Sequence, residues 1–174
     1  MTPEQTFRHL LGLGKRWRVL EARFEAESST FLQKVEGTPE LWPEESAREG
    51  TPVTYHDHAE PMQWRHLNFF NKECVIVCAL PRRRRGDDSK VYRVNPPWEG
   101  RSKHFTQGFE AFALTLMREM PVKRAGQILG ESDTRMWRML FAGSVATKMA
   151  EVGKREDIMA VTPRHPATGA TGLG

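Results

Sequence analysis

Two residues that commonly interrupt helices, Pro121 and Gly130, divide the stretch from residue 105 to 150 into three segments with apolar periodicity. Proline has no N–H to continue a helical ladder, so Pro121 ends the first helix and is suited to open the next. Gly130 stands where a residue with positive φ commonly closes a helix. Thr106 and Ser132 are predicted N-caps, because their hydroxyl oxygens accept from free N–H groups of an opening turn. The pattern predicts three consecutive helices.

Apolar residues at helical spacing define the expected inward face of each helix. These are Phe109, Phe112, Ala113, Leu116 and Met120 in the first, Val122, Ala125, Ile128 and Leu129 in the second, and Trp137, Leu140, Phe141, Val145 and Met149 in the third. A short helix, a tight turn holding glycine and a longer helix are typical of a helix-turn-helix, whose later helix enters the DNA major groove. The alternative is a helix-turn-helix that binds no DNA.

Polar residues off the apolar stripe of the third helix are the candidate base contacts. They are Ser132, Asp133, Arg135 and Arg138, with Met136 and Met139 also expected to face outward. An arginine there can make a bidentate bond to O6 and N7 of guanine. The alternative is that these arginines face solvent.

Charge is distributed unevenly along the 174 residues. Residues 1–60 hold 7 Lys and Arg against 11 Asp and Glu, a net −4, whereas the rest hold 19 against 11, a net +8. Arginine suits phosphate because its planar fork matches phosphate oxygens. The predicted phosphate contacts are Arg82, Arg83, Arg84, Arg85, Lys123 and Arg124. An ordinary basic surface, with the arginine run in a solvated loop, is the alternative.

The amino-terminal part predicts one helix and a small sheet. The helix is expected over residues 3–13, and the strands over 17–24, 30–35, 53–56, 63–68, 74–80 (the central strand) and 91–94. Segments 41–52, 56–61 and 81–90 have turn-like compositions. Cys74 and Cys78, four residues apart on one strand, would lie about 13 Å apart, too far for a disulfide, and are expected in the core.

Composition narrows the class of protein. No apolar run is long enough to span a bilayer, and the start lacks a signal peptide's apolar core, so we expect no membrane association. Two cysteines without a signal indicate a reducing cytoplasm. No phosphate-binding glycine loop, nucleophile motif or metalloprotease motif is present, so we expect no catalysis and no cofactor.

Four longer segments of the chain resemble those of a known protein family. In order, these are LGLGKRW, YHDHAEPMQWRHLNFF, LPRRRR and VNPPWEGRSKHFTQGFEAFALTLMREMPVKRAGQILGESDTRMWRMLF. Over roughly residues 5 to 150 the chain resembles the amino-terminal part of insertion-sequence transposases of the ISL-three family. The resemblance implies a small zinc-binding domain and a helix-turn-helix, both binding the element's terminal inverted repeats, ahead of a catalytic domain.

The chain departs from that family at its zinc ligands. The corresponding positions hold Trp42, Glu45, Arg85 and Asp88, so we expect no structural metal. The chain also stops about where the catalytic domain would begin, which leaves no paired carboxylates for two-metal chemistry.

These observations predict an α+β chain. Residues 1–98 would hold a helix and a small antiparallel β domain resembling a degenerate zinc finger, residues 99–153 an α-helical helix-turn-helix domain, and residues 154–174 a disordered tail. The expected function is sequence-specific binding of double-stranded DNA resembling terminal inverted repeats, as a homodimer or as a mixed dimer with a full-length transposase. The alternative is a co-opted interaction protein or inhibitor that acts through protein contacts.

Overall fold

The computed structural model describes residues 2–86 and 88–143, which form a mixed α+β structure rich in antiparallel strands. The elements are, in order, α1 (Pro3–Leu10), β1 (Trp17–Glu25), β2 (Thr30–Gly37), α2 (Leu41–Glu49), β3 (Val53–His58), β4 (Met62–Phe69), β5 (Lys72–Cys78), β6 (Pro81–Arg85), β7 (Tyr92–Arg93), α3 (Gln107–Glu119), α4 (Val122–Leu129) and α5 (133–143).

The strands form two sheets, where one was expected. The first has the order β1-β2-β5-β4 and the second the order β3-β6-β7. All pairings are antiparallel except that of β2 with β5, which is parallel, so the expectation of a purely antiparallel region was wrong at this point. The prediction of β5 as an inner strand is confirmed.

Two separate clusters of buried apolar side chains hold these elements. The first lies between the sheets and α1 and contains Leu13, Trp17, Val19, Val35, Leu41, Trp64, Ile76, Cys78, Leu80, Val94 and Trp98. The second joins the three carboxyl-terminal helices and contains Phe105, Phe109, Ala113, Ala125, Leu129, Met136 and Met139. Cys74 and Cys78 are buried free thiols, as expected, and burial raises the pKa of Cys74 to about 11 and that of Cys78 to about 12.

Three segments predicted to be turn-like contain regular structure over part of their length. Residues 41–49 form α2, which Gly50 closes in the left-handed conformation. Strand β3 continues through His58, into the segment expected to turn. Residues 81–85 form β6, which pairs with β3 and β7, so the arginine run is extended strand and not a sharp turn.

The inward face of α5 differs from the expected one. Met136 and Met139 are fully buried, whereas Trp137 and Phe141 are 46% and 63% exposed. Two sets of apolar residues have helical spacing along this helix. The unbranched methionines fill the gap beside α4, and the larger aromatic rings remain outside. Phe112 and Ile128 were also expected inward but lie 45% and 46% exposed. The predictions for Val145 and Met149, and for residues 154–174, lie outside the described residues.

Candidate nucleic-acid interface

Glycines determine how closely α4 approaches α5. Gly130 ends α4 in the left-handed conformation at φ 73°, as the sequence predicted. A Cβ on Gly126 would lie 2.8 Å from the Glu131 main-chain oxygen and 3.3 Å from Cγ of Met136. Only glycine fits there without a shift of the backbone. Ala125, which the sequence placed on the inward face, is buried as expected. Sequence reasoning overlooked Gly126, whose position inside a short helix was the available signal.

The amino-terminal end of α5 presents the four predicted base contacts. The N–H of Arg135 approaches Oγ of Ser132 at 3.5 Å, and the N–H of Met136 donates to the main-chain oxygen of Ser132 at 3.1 Å. Ser132, Asp133 and Arg138 are exposed. The four residues lie between positions 132 and 138, at the start of α5 and within its first two turns, and the amino-terminal part of such a helix is the part that enters the major groove in helix-turn-helix proteins.

Arg135 is more constrained than the other three residues. Its Nη1 donates to Oε2 of Glu131 at 2.6 Å, and its guanidinium lies 4.5 Å from the centroid of the Phe105 ring. The side chain is nevertheless 42% exposed. Arg135 and Arg138 both line a cleft between α5 and the first sheet, so the two arginines share one side of the helix.

A buried arginine on β4 holds the helices against the first sheet. Arg65 donates to the main-chain oxygen of Leu129 at 3.0 Å and to Oδ1 of Asn68 at 2.6 Å, and its Nε lies 3.3 Å from Oε1 of Glu131. Burial raises the pKa of Glu131, an effect that Arg135 and Arg65 oppose. The charge of Glu131 is thus shared between a structural arginine and a candidate base contact.

The start of α3 is fixed by the same strand. Thr106 caps the helix by accepting from the N–H of Phe109 at 3.2 Å, as predicted, and its Oγ1 lies 2.8 Å from Nδ1 of His66. Burial, and then the charge of Arg65, lowers the pKa of His66. His66 is therefore neutral at ordinary pH and belongs to the cap.

The four arginines of β6 have different environments, because alternate residues of a strand face opposite sides. Arg83 is buried, with Nε 3.0 Å from Glu45 and Nη2 2.7 Å from Glu49. Arg85 also pairs with Glu49, at 3.2 Å, and Arg82 makes a bidentate contact with Asp57. Arg84 is exposed and has no carboxylate partner among residues 2–86 and 88–143. Three of the four predicted phosphate contacts on β6 are thus already paired with carboxylates.

These ion pairs also determine the ionisation of their carboxylates. Hydrogen bonds from Arg83 and then Arg85 hold the pKa of Glu49 below its usual range, and the hydrogen bond from Arg82 does the same for the pKa of Asp57.

Lys123 and Arg124, the other two predicted phosphate contacts, lie exposed on the first turn of α4. Both stand free of ion pairs to the described carboxylates.

The positions that the family resemblance assigns to zinc do not form a ligand set. Glu45 pairs with Arg83 and with Arg48, the latter at 2.6 Å, and the Trp42 ring packs on Tyr55 with centroids 5.7 Å apart. Arg85 is a cation, which cannot replace a cysteine or histidine ligand. Among the described residues, no group of three or more His, Cys, Asp or Glu side chains is placed to hold a metal ion.

Within residues 2–86 and 88–143, no helix combines the length and apolar character needed to cross a bilayer. No protein-family model, curated protein or solved structure matches the chain.

Proposed function

We propose that this chain is a sequence-specific DNA-binding protein derived from a transposase, which binds element ends. The observation that carries the proposal is the grouping of Ser132, Asp133, Arg135 and Arg138 at the amino-terminal end of α5, after a close, glycine-dependent turn. In this interpretation α4 and α5 are a helix-turn-helix, and the β region is a zinc-finger-like domain whose metal ligands have been replaced by residues that form ion pairs, hydrogen bonds and an aromatic contact.

Arg138 is the leading candidate for direct base contact, since it is exposed and has no ion pair with a described residue. Arg135 would have to exchange its bond to Glu131 for one to guanine. Such an exchange retains a charge-assisted hydrogen bond, so its net contribution to affinity is smaller than that of an unpaired arginine.

We assign the DNA backbone contacts to Arg84, Lys123 and Arg124, which are exposed and have no ion pair with a described carboxylate. If each neutralises one phosphate, the logarithm of affinity should fall with the logarithm of salt concentration at a slope of about −3. Recruitment of Arg82, Arg83 and Arg85 would require breaking their pairs with Asp57, Glu45 and Glu49.

The test is selection of bound sequences from random double-stranded DNA, followed by a salt titration of the selected site. Arg138→Ala should relax sequence preference, whereas Lys123→Ala should weaken all DNA about equally and make the slope shallower by about one. Arg118→Ala, at an exposed position near the end of α3, is the matched control. A salt slope near zero, or selection yielding no preferred sequence, would end the proposal.

The proposed target is double-stranded DNA resembling terminal inverted repeats, bound by a homodimer or by a mixed dimer with a full-length transposase in the cytoplasm. Two-fold protein symmetry would match inverted half-sites. Sedimentation of the complex with one and with two half-sites measures this stoichiometry.

One observation favours the second candidate function, a co-opted interaction protein or inhibitor. Trp137 and Phe141 stack on the exposed side of α5 with ring centroids 5.9 Å apart. Exposed aromatic residues are enriched at protein interfaces. If the protein ignores DNA at low salt, binds a full-length transposase, and loses that binding in Trp137→Ser, this second function is the correct one.

A further inference from the structure

A cleft of about 820 Å³ lies between the first sheet and α5. Its walls come from β4 and β5, from the loop before α3, and from the side of α5 that carries Arg135 and Arg138. The contributing strand residues include Gln63, Arg65 and Val75, on the face opposite the buried Trp64 and Ile76. The volume is that of a small-ligand site, for which about 300–1,000 Å³ is usual.

Two of the cationic side chains that line the cleft are paired with a carboxylate, and two have no such partner among the described residues. Arg65 and Arg135 both lie against Glu131, at 3.3 and 2.6 Å. Lys103 and Arg138, from the loop and from α5, have neither an ion pair nor a side-chain hydrogen bond with any described residue. Two uncommitted positive charges therefore face one concave surface from two separate segments of the chain.

The loop that supplies Lys103 adds two further polar groups. The hydroxyl oxygen of Ser102 is buried without a hydrogen-bond partner, although the Ser102 N–H donates to Glu110 at 2.5 Å. His104 holds φ at 70°, a conformation that costs free energy for a residue with a Cβ. Its Nδ1–H donates to the main-chain oxygen of Gln63 at 3.1 Å, and Nε2 makes no hydrogen bond with a described residue.

We infer that this cleft binds a phosphate group, held by Lys103 and Arg138 with the Ser102 hydroxyl as a further donor. The ammonium and guanidinium groups supply charge-assisted bonds to phosphate oxygens. The buried hydroxyl gains the partner that it lacks in the free protein, which favours binding. If the phosphate belongs to the DNA backbone, the inference rests on the proposed DNA binding. A free nucleotide is the other source of such a phosphate group.

A DNA phosphate in this cleft would require the DNA to approach α5 from the side that faces the sheet. The outward side of the helix carries Trp137 and Phe141, whereas Arg138 is on the side facing the sheet. A backbone phosphate seated in the cleft would therefore lie between the sheet and the helix, and the loop before α3 would be part of the DNA contact. Arg138 would then contact this phosphate in place of a base, so Arg138→Gln should weaken binding to all duplexes about equally. A relaxed sequence preference in that variant would place Arg138 on a base edge and would overturn its role in the cleft.

The experiment is a titration of the isotope-labelled full chain with inorganic phosphate, with ADP and with a short random-sequence duplex, followed by amide chemical shifts. The variants are Lys103→Gln and Arg138→Gln, and the matched control is Lys90→Gln, an exposed lysine outside the cleft. Each variant is first checked for an unchanged thermal unfolding midpoint. We expect shifts at Ser102 and His104, an approximately tenfold loss of affinity in each cleft variant and no loss in the control.

Shifts with the duplex alone assign the phosphate to DNA, and shifts with ADP as well assign a nucleotide site. If DNA binds and Lys103→Gln matches the control, the cleft assignment is wrong while the proposed function stands. If the duplex does not bind but ADP shifts Ser102, DNA binding fails and the cleft remains a phosphate site. An equal loss in Lys90→Gln would mean that only net charge matters and would overturn the inference.

Discussion

The guanidinium of Arg65, on β4, donates from Nη2 to the main-chain oxygen of Leu129, the last residue of α4, over 3.0 Å. A helix ends with carbonyl groups that have no partner inside the helix, and this one is satisfied by a residue 64 positions earlier in the chain. The same guanidinium lies 5.0 Å from the centroid of Phe109 on α3. One side chain on the sheet thus contacts both α3 and α4, the second of which is the first helix of the candidate helix-turn-helix.

Replacing Arg65 should therefore destabilise the packing of the helices on the sheet. In Arg65→Met, Glu131 keeps only Arg135 as a partner, although its side chain is 3% exposed. Removing one member of a buried pair typically costs about 3–5 kcal/mol. Denaturant unfolding measures the loss. The double variant Arg65→Met/Glu131→Gln should recover part of it, since no buried charge is left unpaired; a single variant as stable as the wild type would contradict this role.

A methyl group at Gly126 should force α4 away from α5. In Gly126→Ala the new Cβ would meet the main-chain oxygen of Glu131 at 2.8 Å. Overpacking of this kind costs about 1–3 kcal/mol, which exceeds the helix-propensity gain of about 1 kcal/mol. The expected result is a lowered thermal unfolding midpoint and, if the proposed function is correct, weaker specific DNA binding.

Gly143→Ala is the matched control, because its Cβ would lie 3.7 Å from the methyl groups of Leu114, an ordinary contact. This variant should be neutral or more stable by up to about 1 kcal/mol. Equal destabilisation by the two substitutions would show that the close approach at Gly126 is not the cause.

Acid should weaken the cap of α3 through His66. Burial lowers the pKa of His66 below its ordinary 6.5, so the unfolded chain binds the proton more readily than the folded one. The contribution of a neutral His66 to stability is therefore present above pH 6.5 and is lost as pH falls through the lower folded-state pKa. Unfolding free energies measured across this range should fall in the wild type and fall less in His66→Gln. A pH dependence unchanged in His66→Gln would contradict the assignment.

The sequence predicted β1, β2, β4 and β5 well because those segments contain apolar residues in runs of strand length. It predicted the boundaries of α3 and α4 well because Pro121 and Gly130 mark where these helices end. It failed at α2 for a physical reason. The side of α2 that faces the core carries Glu45, 2% exposed, whose charge is balanced by Arg83 from a strand far along the chain. A charged residue inside a predicted core cannot be recognised until its partner is placed.

The candidate site, too, could be predicted only in part from the sequence. Hydrophobicity alone could not choose between the stripe of Met136 and Met139 and that of Trp137 and Phe141, since both have helical spacing. The choice depends on the room left beside Gly126. The four adjacent arginines suggested a solvated turn because sequence does not show that Glu45, Glu49 and Asp57 lie opposite three of them.

Neighbouring arginines of β6 should therefore separate stability from DNA binding. Arg83→Gln removes a cation that is 3.0 Å from the buried Glu45 and should lower the unfolding free energy by about 3 kcal/mol. Arg84→Gln alters an exposed side chain and should change stability by no more than about 0.5 kcal/mol. If Arg84 contacts a phosphate, its variant should bind DNA more weakly, with a salt slope shallower by about one.

Paired measurements of denaturant unfolding and salt-dependent DNA affinity on both variants test this division. Arg83→Gln, assayed at a temperature where it remains folded, should retain the salt slope of the wild type, because Arg83 is buried and its charge is balanced within the fold. A stable Arg83→Gln with a shallower slope would mean that Arg83 leaves Glu45 and Glu49 to contact DNA. The β6 ion pairs would then open on binding, and the predicted phosphate role of the arginine run would extend beyond Arg84.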